Sequence, residues 1–236
     1  MGEWHVIVEL IAHTTVMPAY DKRWGAAGWQ DYTRPDEIEP EDADKLAEFA
    51  GRLCYQSWSR PNPATVTNEK YIANILAMEH FSVTEHASAT FYVAGVSRSL
   101  SHELVRHRFL SFSQLSQRFV DEKDVAWVPP PAIVRQGGQP HQLFQTALAG
   151  QRDFYAQIAI KLERAGLTRK QAREAARAVL PNATETRFVV TGNMRAWRDV
   201  LTRRLSPAAD AEIQQFAQRV LAQLKKIAPN TFQDFT

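Results

Sequence analysis

The sequence predicts an α+β fold in which helices dominate and strands are few. Two observations carry that expectation. Apolar residues recur at helical spacing along most of the chain, whereas extended, β-branched and aromatic patterning is confined to three short stretches. The scale follows from size: 236 residues, 44% of them hydrophobic, suit one domain over residues 1–236 with a substantial core.

In chain order, residues 5–14 (HVIVELIAHT) alternate like a strand, and residues 41–55 (EDADKLAEFAGRLCY) and 68–81 (NEKYIANILAMEHF) read as helices. Residues 88–96 (SATFYVAGV) form the second expected strand, and residues 97–109 (SRSLSHELVRHRF) are helical by period. Residues 127–140 (WVPPPAIVRQGGQP) are dense in proline and glycine and are expected to be a loop. A long helix over 141–166 closes at Gly166, and another over 168–181 opens at Thr168 and stops at Pro181. Residues 184–192 (TETRFVVTG) are the third strand, followed by a helix over 193–205 with Asn193 as its cap. The last helix, over 206–228, has Ser206 at N-cap, Pro207 at N1 and a stripe of Ile213, Phe216, Val220, Leu224 and Ile227. No repeat, low-complexity tract or clean domain boundary interrupts this order.

Charge narrows the function classes. The formal net charge is +2, so nothing in the overall balance demands nucleic acid or a membrane surface. The basic residues are biased, however: 20 are Arg and 8 Lys, and from Arg98 to Arg204 the ratio is 15 to 3. Arginine's rigid fork matches phosphate and carboxylate, which points to anionic ligands, although genomic base composition produces the same bias. The lone cysteine, Cys54, excludes an intrachain disulfide and a cysteine-based zinc cluster, and fits a reducing cytoplasm. Its apolar and aromatic neighbours in GRLCYQSW mark it as a small core residue. No leader-like N-terminus and no run near the ~18 apolar residues of a membrane span is present, so a soluble protein is expected.

Several motifs are excluded on spacing. His102 and His107 in HELVRH stand at i+5, about 140° apart on a helix, so they cannot share a metal as a His-Glu-x-x-His pair does. Arg106 between them repels a cation. His80, Glu85 and His86 lack a further spaced ligand, and no metal is expected. Neither glycine-rich phosphate-binding pattern occurs, so any nucleotide must be held by side chains. Attention then falls on residues 106–118, RHRFLSFSQLSQR, where basic residues precede serines and glutamines that are mediocre helix formers and good hydrogen-bonders. Residue types alone leave two readings of its basic start: a ligand site, or a plain helix surface on which Glu103 pairs with Arg106 and His107. They also leave open an RNA-binding module stacking bases on its six Trp and six Tyr, and a structural oligomer without chemistry.

The same segment resembles the signature of the flavin-dependent thymidylate synthases: Arg-His-Arg, seven residues, Ser, one residue, Arg, here Arg106, His107, Arg108, Ser116 and Arg118. The likeness extends to EHFSVTEHASATFYV, REAARAVLP, TRFVVTGNMRAW and DAEIQQFA, and so covers most of the chain from about Arg52 onward. It implies helices around a small mixed sheet, and a homotetramer with active sites shared between subunits. It implies dTMP synthesis from dUMP, with 5,10-methylenetetrahydrofolate as carbon donor, FAD as redox carrier and NADPH as reductant, without nucleic-acid or membrane partners.

Position by position, the resemblance places FAD against Ser82, Glu85, Arg106, His107, Arg108, Gln114, Asn193, Arg195 and Asp199, the last being Asp where the family usually has Asn or His. It places dUMP against Glu103, Arg106, Gln114, Leu115, Ser116, Gln117, Arg118, Arg177 and Arg204, and matches His80 to a histidine near the flavin and folate pocket. The family is understood to use no cysteine nucleophile, so C5 of the uracil must be activated by polarising the ring, and Arg204 is expected to do it. Asn193 and Arg204 lie 11 residues apart, about 20° in phase and some 16 Å along an unbroken helix, so one helix can touch two ligands.

Overall fold

The computed structural model describes residues 6–17, 40–57 and 62–235. Among them the chain forms β1 (Ile7–His13), α1 (Asp42–Tyr55), α2 (Asn68–Ala77), β2 (Ser88–Ser97), α3 (Arg98–Leu104), β3 (Leu110–Gln114), α4 (Pro131–Gln136), α5 (Gly138–Arg164), α6 (Arg169–Ala176), β4 (Glu185–Asn193), α7 (Met194–Arg204) and α8 (Ala211–Ile227). The strands make one sheet in the order β1-β2-β4-β3. Each described pairing is antiparallel, so the α+β class holds with an antiparallel sheet where the resemblance implied a mixed one. His5, at the start of the first expected strand, lies outside the described residues.

The core lies between the sheet and the two C-terminal helices. Alternate residues of β2 (Ala89, Phe91, Val93) and β4 (Phe188, Val190) are buried, as strand periodicity requires. They cluster with Trp197, Val200 and Leu201 of α7 and with the whole predicted stripe of α8, Ile213, Phe216, Val220, Leu224 and Ile227. Trp197 anchors the arrangement: its ring meets Phe91 edge-on at 5.0 Å, and its Nε1 donates to the Ala89 carbonyl at 3.2 Å. Gly192 makes room for it, since a Cβ there would stand 2.4 Å from Leu110 Cδ2 and 3.2 Å from Trp197 Nε1. At the β2 bulge between Val93 and Val96, Gly95 takes a φ of +68°, a left-handed conformation that a side chain would strain.

Five expectations need correction. The segment 127–140 contains α4 and the start of α5: Pro131 occupies the first turn of α4, where its missing N–H has no partner to lose, and Pro140 does the same in α5. Only Gly137, with φ of +60°, separates the two helices. The helix expected over 97–109 ends at Leu104, because Leu110 onward pairs with β4, and an edge-strand ladder outcompetes helical period there. The helix expected to reach Phe81 ends at Ala77; Glu79 adopts a left-handed conformation that lets the His80 N–H return to the Ile75 carbonyl. Ser206 closes a short turn with Ala208 and Ala209, and α8 begins only after Asp210. Cys54 is exposed: the last turn of α1, Leu53 to Gln56, projects past the place where Gly51 meets Tyr71.

Cys54→Ala removes no packed atoms, so it is expected to shift stability by less than about 0.5 kcal/mol, read as an unchanged urea midpoint. A fall of 1 kcal/mol or more, on the same scale, would mean that Cys54 is buried.

Candidate active site

Register decides where the functional side chains gather. Ser88 pairs with Asn193 in the β2–β4 ladder, and Leu110 pairs with Gly192 in the β3–β4 ladder. The starts of β2 and β3 therefore lie beside the end of β4. The 3-10 turn Phe81–Glu85 leads into β2, Arg106 to Phe109 lead into β3, and α7 leaves β4. Together they border a cleft of about 870 Å³, a size usual for small-molecule sites. Eight residues read from the sequence line it: Glu85, Arg106, His107, Arg108, Asn193, Arg195, Asp199 and Arg204. Phe109, Ala196 and Arg203 line it too and escaped the sequence reading, although Phe109 falls inside the signature and Arg203 stands four residues after Asp199 on α7.

The cleft favours anions. Five arginines face two carboxylates. Arg195 is paired with Glu85, which ties the start of α7 to the 3-10 turn. Arg106 and Arg108 are exposed, and among the described residues no hydrogen bond or ion pair engages either guanidinium. Asn193 caps α7 by accepting from the Ala196 N–H at 2.8 Å, leaving its own amide NH₂ to donate. The positive end of α7 thus opens between free guanidiniums, a donor set that fits the diphosphate of a dinucleotide without a glycine-rich loop. Phe109, largely in solvent at this site, offers an apolar face to a ring.

Behind this surface runs a chain of hydrogen bonds. Arg203 Nε donates to Asp199 Oδ1 (2.9 Å), and Asp199 Oδ2 lies 3.1 Å from His107 Nδ1. Arg204 Nε donates to His107 Nε2 (3.0 Å), while its terminal nitrogens donate to the Glu103 carboxylate (2.8 Å) and the Glu103 carbonyl (3.0 Å). The helix-surface pairing of Glu103 with Arg106 and His107 is therefore not made; Glu103 holds Arg204 instead. Burial, and then Asp210 nearby, push the Glu103 carboxyl up against the pull of Arg204. Burial pushes the His107 pKa below its usual 6.5, Asp199 working against this and Arg204 with it.

That direction sets a pH dependence. A histidine kept neutral by the fold binds fewer protons than the unfolded chain below pH 6.5, so its contribution to stability is full above 6.5 and is lost as pH falls through the lower folded value. The stability advantage of wild type over His107→Gln is expected to shrink between about pH 7.5 and about pH 5. Parallel urea midpoints for the two proteins across that range would refute it.

The remaining residues read from the sequence do not join the cleft. Ser82 and His80 are exposed on and just before the 3-10 turn, outside its lining. Gln114 sits at the other end of β3, about 14 Å along the strand, where its Nε2 donates to Ser101 Oγ (2.9 Å) and Thr186 Oγ1 (3.1 Å). Beyond it, Leu115 lines a second cavity of about 690 Å³, its carbonyl held by Arg98 at 2.8 Å. Ser116 Oγ accepts weakly from the Arg118 N–H (3.4 Å), and Arg118 lies 3.8 Å from Glu174 on the exposed surface. Gln117 follows the same turn, and Arg177 is exposed after α6. Within one chain the two halves of the signature thus face different regions.

A family model described as "Thymidylate synthase complementing protein" matches residues 36–230. The flavin-dependent thymidylate synthase of Mycobacterium tuberculosis (strain H37Rv) is 48% identical over 235 residues, covering 97% of this chain and 89% of its own. That of Mycobacteroides abscessus is 52% identical over 216 residues, covering 87% and 86%. The chain belongs to the flavin-dependent thymidylate synthase family. Membership covers both halves of the split signature and the elements that border the cleft, including the 3-10 turn, β3 and α7.

Proposed function

We propose that the cleft between the 3-10 turn, the start of β3 and α7 is the flavin and pyrimidine end of a thymidylate-forming active site. The reaction is reductive methylation of dUMP to dTMP with 5,10-methylenetetrahydrofolate as carbon donor and FAD as cofactor; NADPH is the proposed reductant. The observation that carries this reading is the gathering of Arg106, Arg108, Asn193 and Arg195 on one cleft in a chain of this family. Arg106, Arg108 and the start of α7 would hold the FAD diphosphate, with His107, Glu85, Arg195 and Asp199 around them and Ser82 and His80 completing the flavin and folate side, while Gln114, at the far end of β3, would serve the flavin in the cleft of another subunit. When bound, FAD supplies the redox chemistry that reduces the transferred carbon to a methyl group.

The protein's own part is placement and charge. Arg204 polarises the uracil so that C5 becomes nucleophilic, and Glu103 fixes the Arg204 guanidinium. No thiol is needed: Cys54 is on α1 and does not line the cleft. Ser116, Gln117, Arg118 and Arg177, with the Leu115 backbone, bind the nucleotide and its phosphate. Because they lie away from Arg204 in one chain, they are proposed to serve the cleft of another subunit in a homotetramer, a soluble, cytoplasmic assembly with no nucleic-acid partner.

Purified protein is expected to turn yellow with FAD and to release tritium from C5-labelled dUMP when folate, FAD and NADPH are present. Folded protein that stays colourless in excess FAD and releases no tritium would overturn the reading. The shared site has its own test. At a dUMP concentration too low for Arg118→Ala to turn over, mixing it with Asn193→Ala is expected to restore partial activity through hybrid sites; no recovery after verified subunit exchange would place each site within one chain.

A further inference from the structure

Asp199 and Arg204 stand on one helix but five residues apart, about 140° around it, so they cannot meet directly. His107, from the turn between α3 and β3, enters between them and touches both, at 3.1 Å from Asp199 Oδ2 and 3.0 Å from Arg204 Nε. We propose that Asp199 is a positioning residue for the reaction: it holds His107 in the tautomer with hydrogen on Nδ1, so that Nε2 accepts the Arg204 Nε–H and fixes the plane of that guanidinium. The proposal rests on the reading of Arg204 as the group that polarises the pyrimidine.

Donor and acceptor chemistry leaves little choice. An arginine can only donate, so the ring nitrogen facing Arg204 must carry a lone pair. A neutral imidazole then bears its hydrogen on Nδ1, and the partner there is a carboxylate, which can only accept. The constraints from the two sides of the ring agree. The opposite tautomer would set N–H against N–H at Arg204 and a lone pair against the Asp199 oxygen. Asp199 is itself steadied by Arg203 at its other oxygen, and Glu103 of α3 grips the far side of Arg204, so the imidazole closes a chain whose two ends are already tied. With Nε on His107 and one N–H of each terminal nitrogen on Glu103, Arg204 keeps one N–H on each terminal nitrogen, in a side chain that lines the cleft. An amide at position 199 would present either its oxygen or its NH₂ to the ring and would not select the tautomer as strictly.

The test reads the ring directly. Nitrogen-15 shifts of histidine-labelled protein, the His107 signals being assigned by their loss in His107→Gln, are expected to show a protonated Nδ1 and a bare Nε2 in wild type near pH 7.5. In Asp199→Ala, confirmed folded by far-ultraviolet circular dichroism, hydrogen is expected to move partly or wholly to Nε2, and kcat at saturating dUMP to fall about 10- to 100-fold, the scale of one lost charge-assisted hydrogen bond. Asp199→Asn, which keeps an acceptor, is expected to recover part of both. Wild-type His107 protonated on Nε2, or an Asp199→Ala protein with unchanged tautomer and kcat, would overturn the proposal. Arg204→Ala assayed alongside separates the two claims. If its turnover is unchanged while the spectra show the Asp199-dependent tautomer, the reading of Arg204 fails and the hydrogen-bonded chain stands. If it is slow while wild-type His107 carries hydrogen on Nε2, the chain is wrong and the reading of Arg204 stands.

Discussion

Arg204→Ala is expected to lower the turnover number about 100- to 1,000-fold even when dUMP saturates, the usual scale for losing one preorganised electrostatic contact to a developing charge. The guanidinium is held by His107 and by two atoms of Glu103, so it needs no reorganisation when charge appears on the pyrimidine ring. An interaction stronger in the transition state than in the ground state acts on kcat, and binding concentration cannot restore it. Arg204→Lys keeps the charge but cannot bond His107 and Glu103 with one planar fork, so it is expected to recover only a fraction. Arg118→Ala is the contrast: the loss of this exposed residue, proposed above to bind the phosphate, should mainly raise the dUMP concentration needed for half-maximal rate. The measurement is a dUMP saturation series on all three variants, each loaded with FAD. Wild-type turnover by Arg204→Ala at saturating dUMP would reduce Arg204 to a binding residue.

Asp44→Ala is expected to cost about 2–5 kcal/mol of stability, because it orphans several buried donors at once. Asp44, fully buried on α1, accepts from the backbone N–H of Asn230 (2.8 Å) and of Thr231 (2.9 Å) and from the Thr231 hydroxyl, and so holds the residues after α8 against the N-terminal helix. The same stretch is gripped from α7 by Arg198, which donates to the Thr231 carbonyl and forks onto Asp234 at 2.7 Å through both terminal nitrogens. Burial raises the Asp44 carboxyl to about 6 despite those hydrogen bonds. A carboxyl raised in the folded state binds a proton that the unfolded chain has released, so this site gains stability as pH falls through 6 toward 3.8 and has lost that gain above. The wild-type advantage over Asp44→Ala should therefore widen on acidification, the opposite sense to His107. Chemical denaturation of both proteins from neutral pH down to about pH 5 checks the magnitude and the sign together. A loss below 1 kcal/mol, against the scale for orphaned buried donors, would show that the contact is not maintained in solution.

Local chemistry carried much of this molecule in the sequence. The strands β2 and β4, the stripe on α8, and the caps at Thr168 and Asn193 were legible because each depends on neighbours within a few residues. The 106–118 signature singled out Arg106, His107 and Arg108, which line one cleft with Asn193 and Arg204, the two residues that the phase of α7 puts on a common face. Cys54 misled because hydrophobic neighbours in sequence are not neighbours in space at the end of a helix. The prolines near residue 130 misled because proline obstructs a helix interior and not its first turn. β3 was hidden altogether, since five residues of Leu, Ser, Phe and Gln acquire strand geometry only from the ladder that β4 offers.

What only the tertiary structure decided is which side chain holds which. Glu103 was expected to pair with its helical neighbours and instead holds Arg204, 101 residues away, and His107 bridges two residues of one helix that sequence spacing turns apart. Periodicity reports the face on which a residue stands. A hydrogen bond needs position to within a few tenths of an ångström, and that is set by strand register and by how the α3–β3 turn packs against α7. The sequence by itself determined the fold class, the family and the residue types of an arginine-rich cleft. The packing of distant elements determined that the two halves of the signature face apart, and that Asp199, His107, Arg204 and Glu103 form one connected chain.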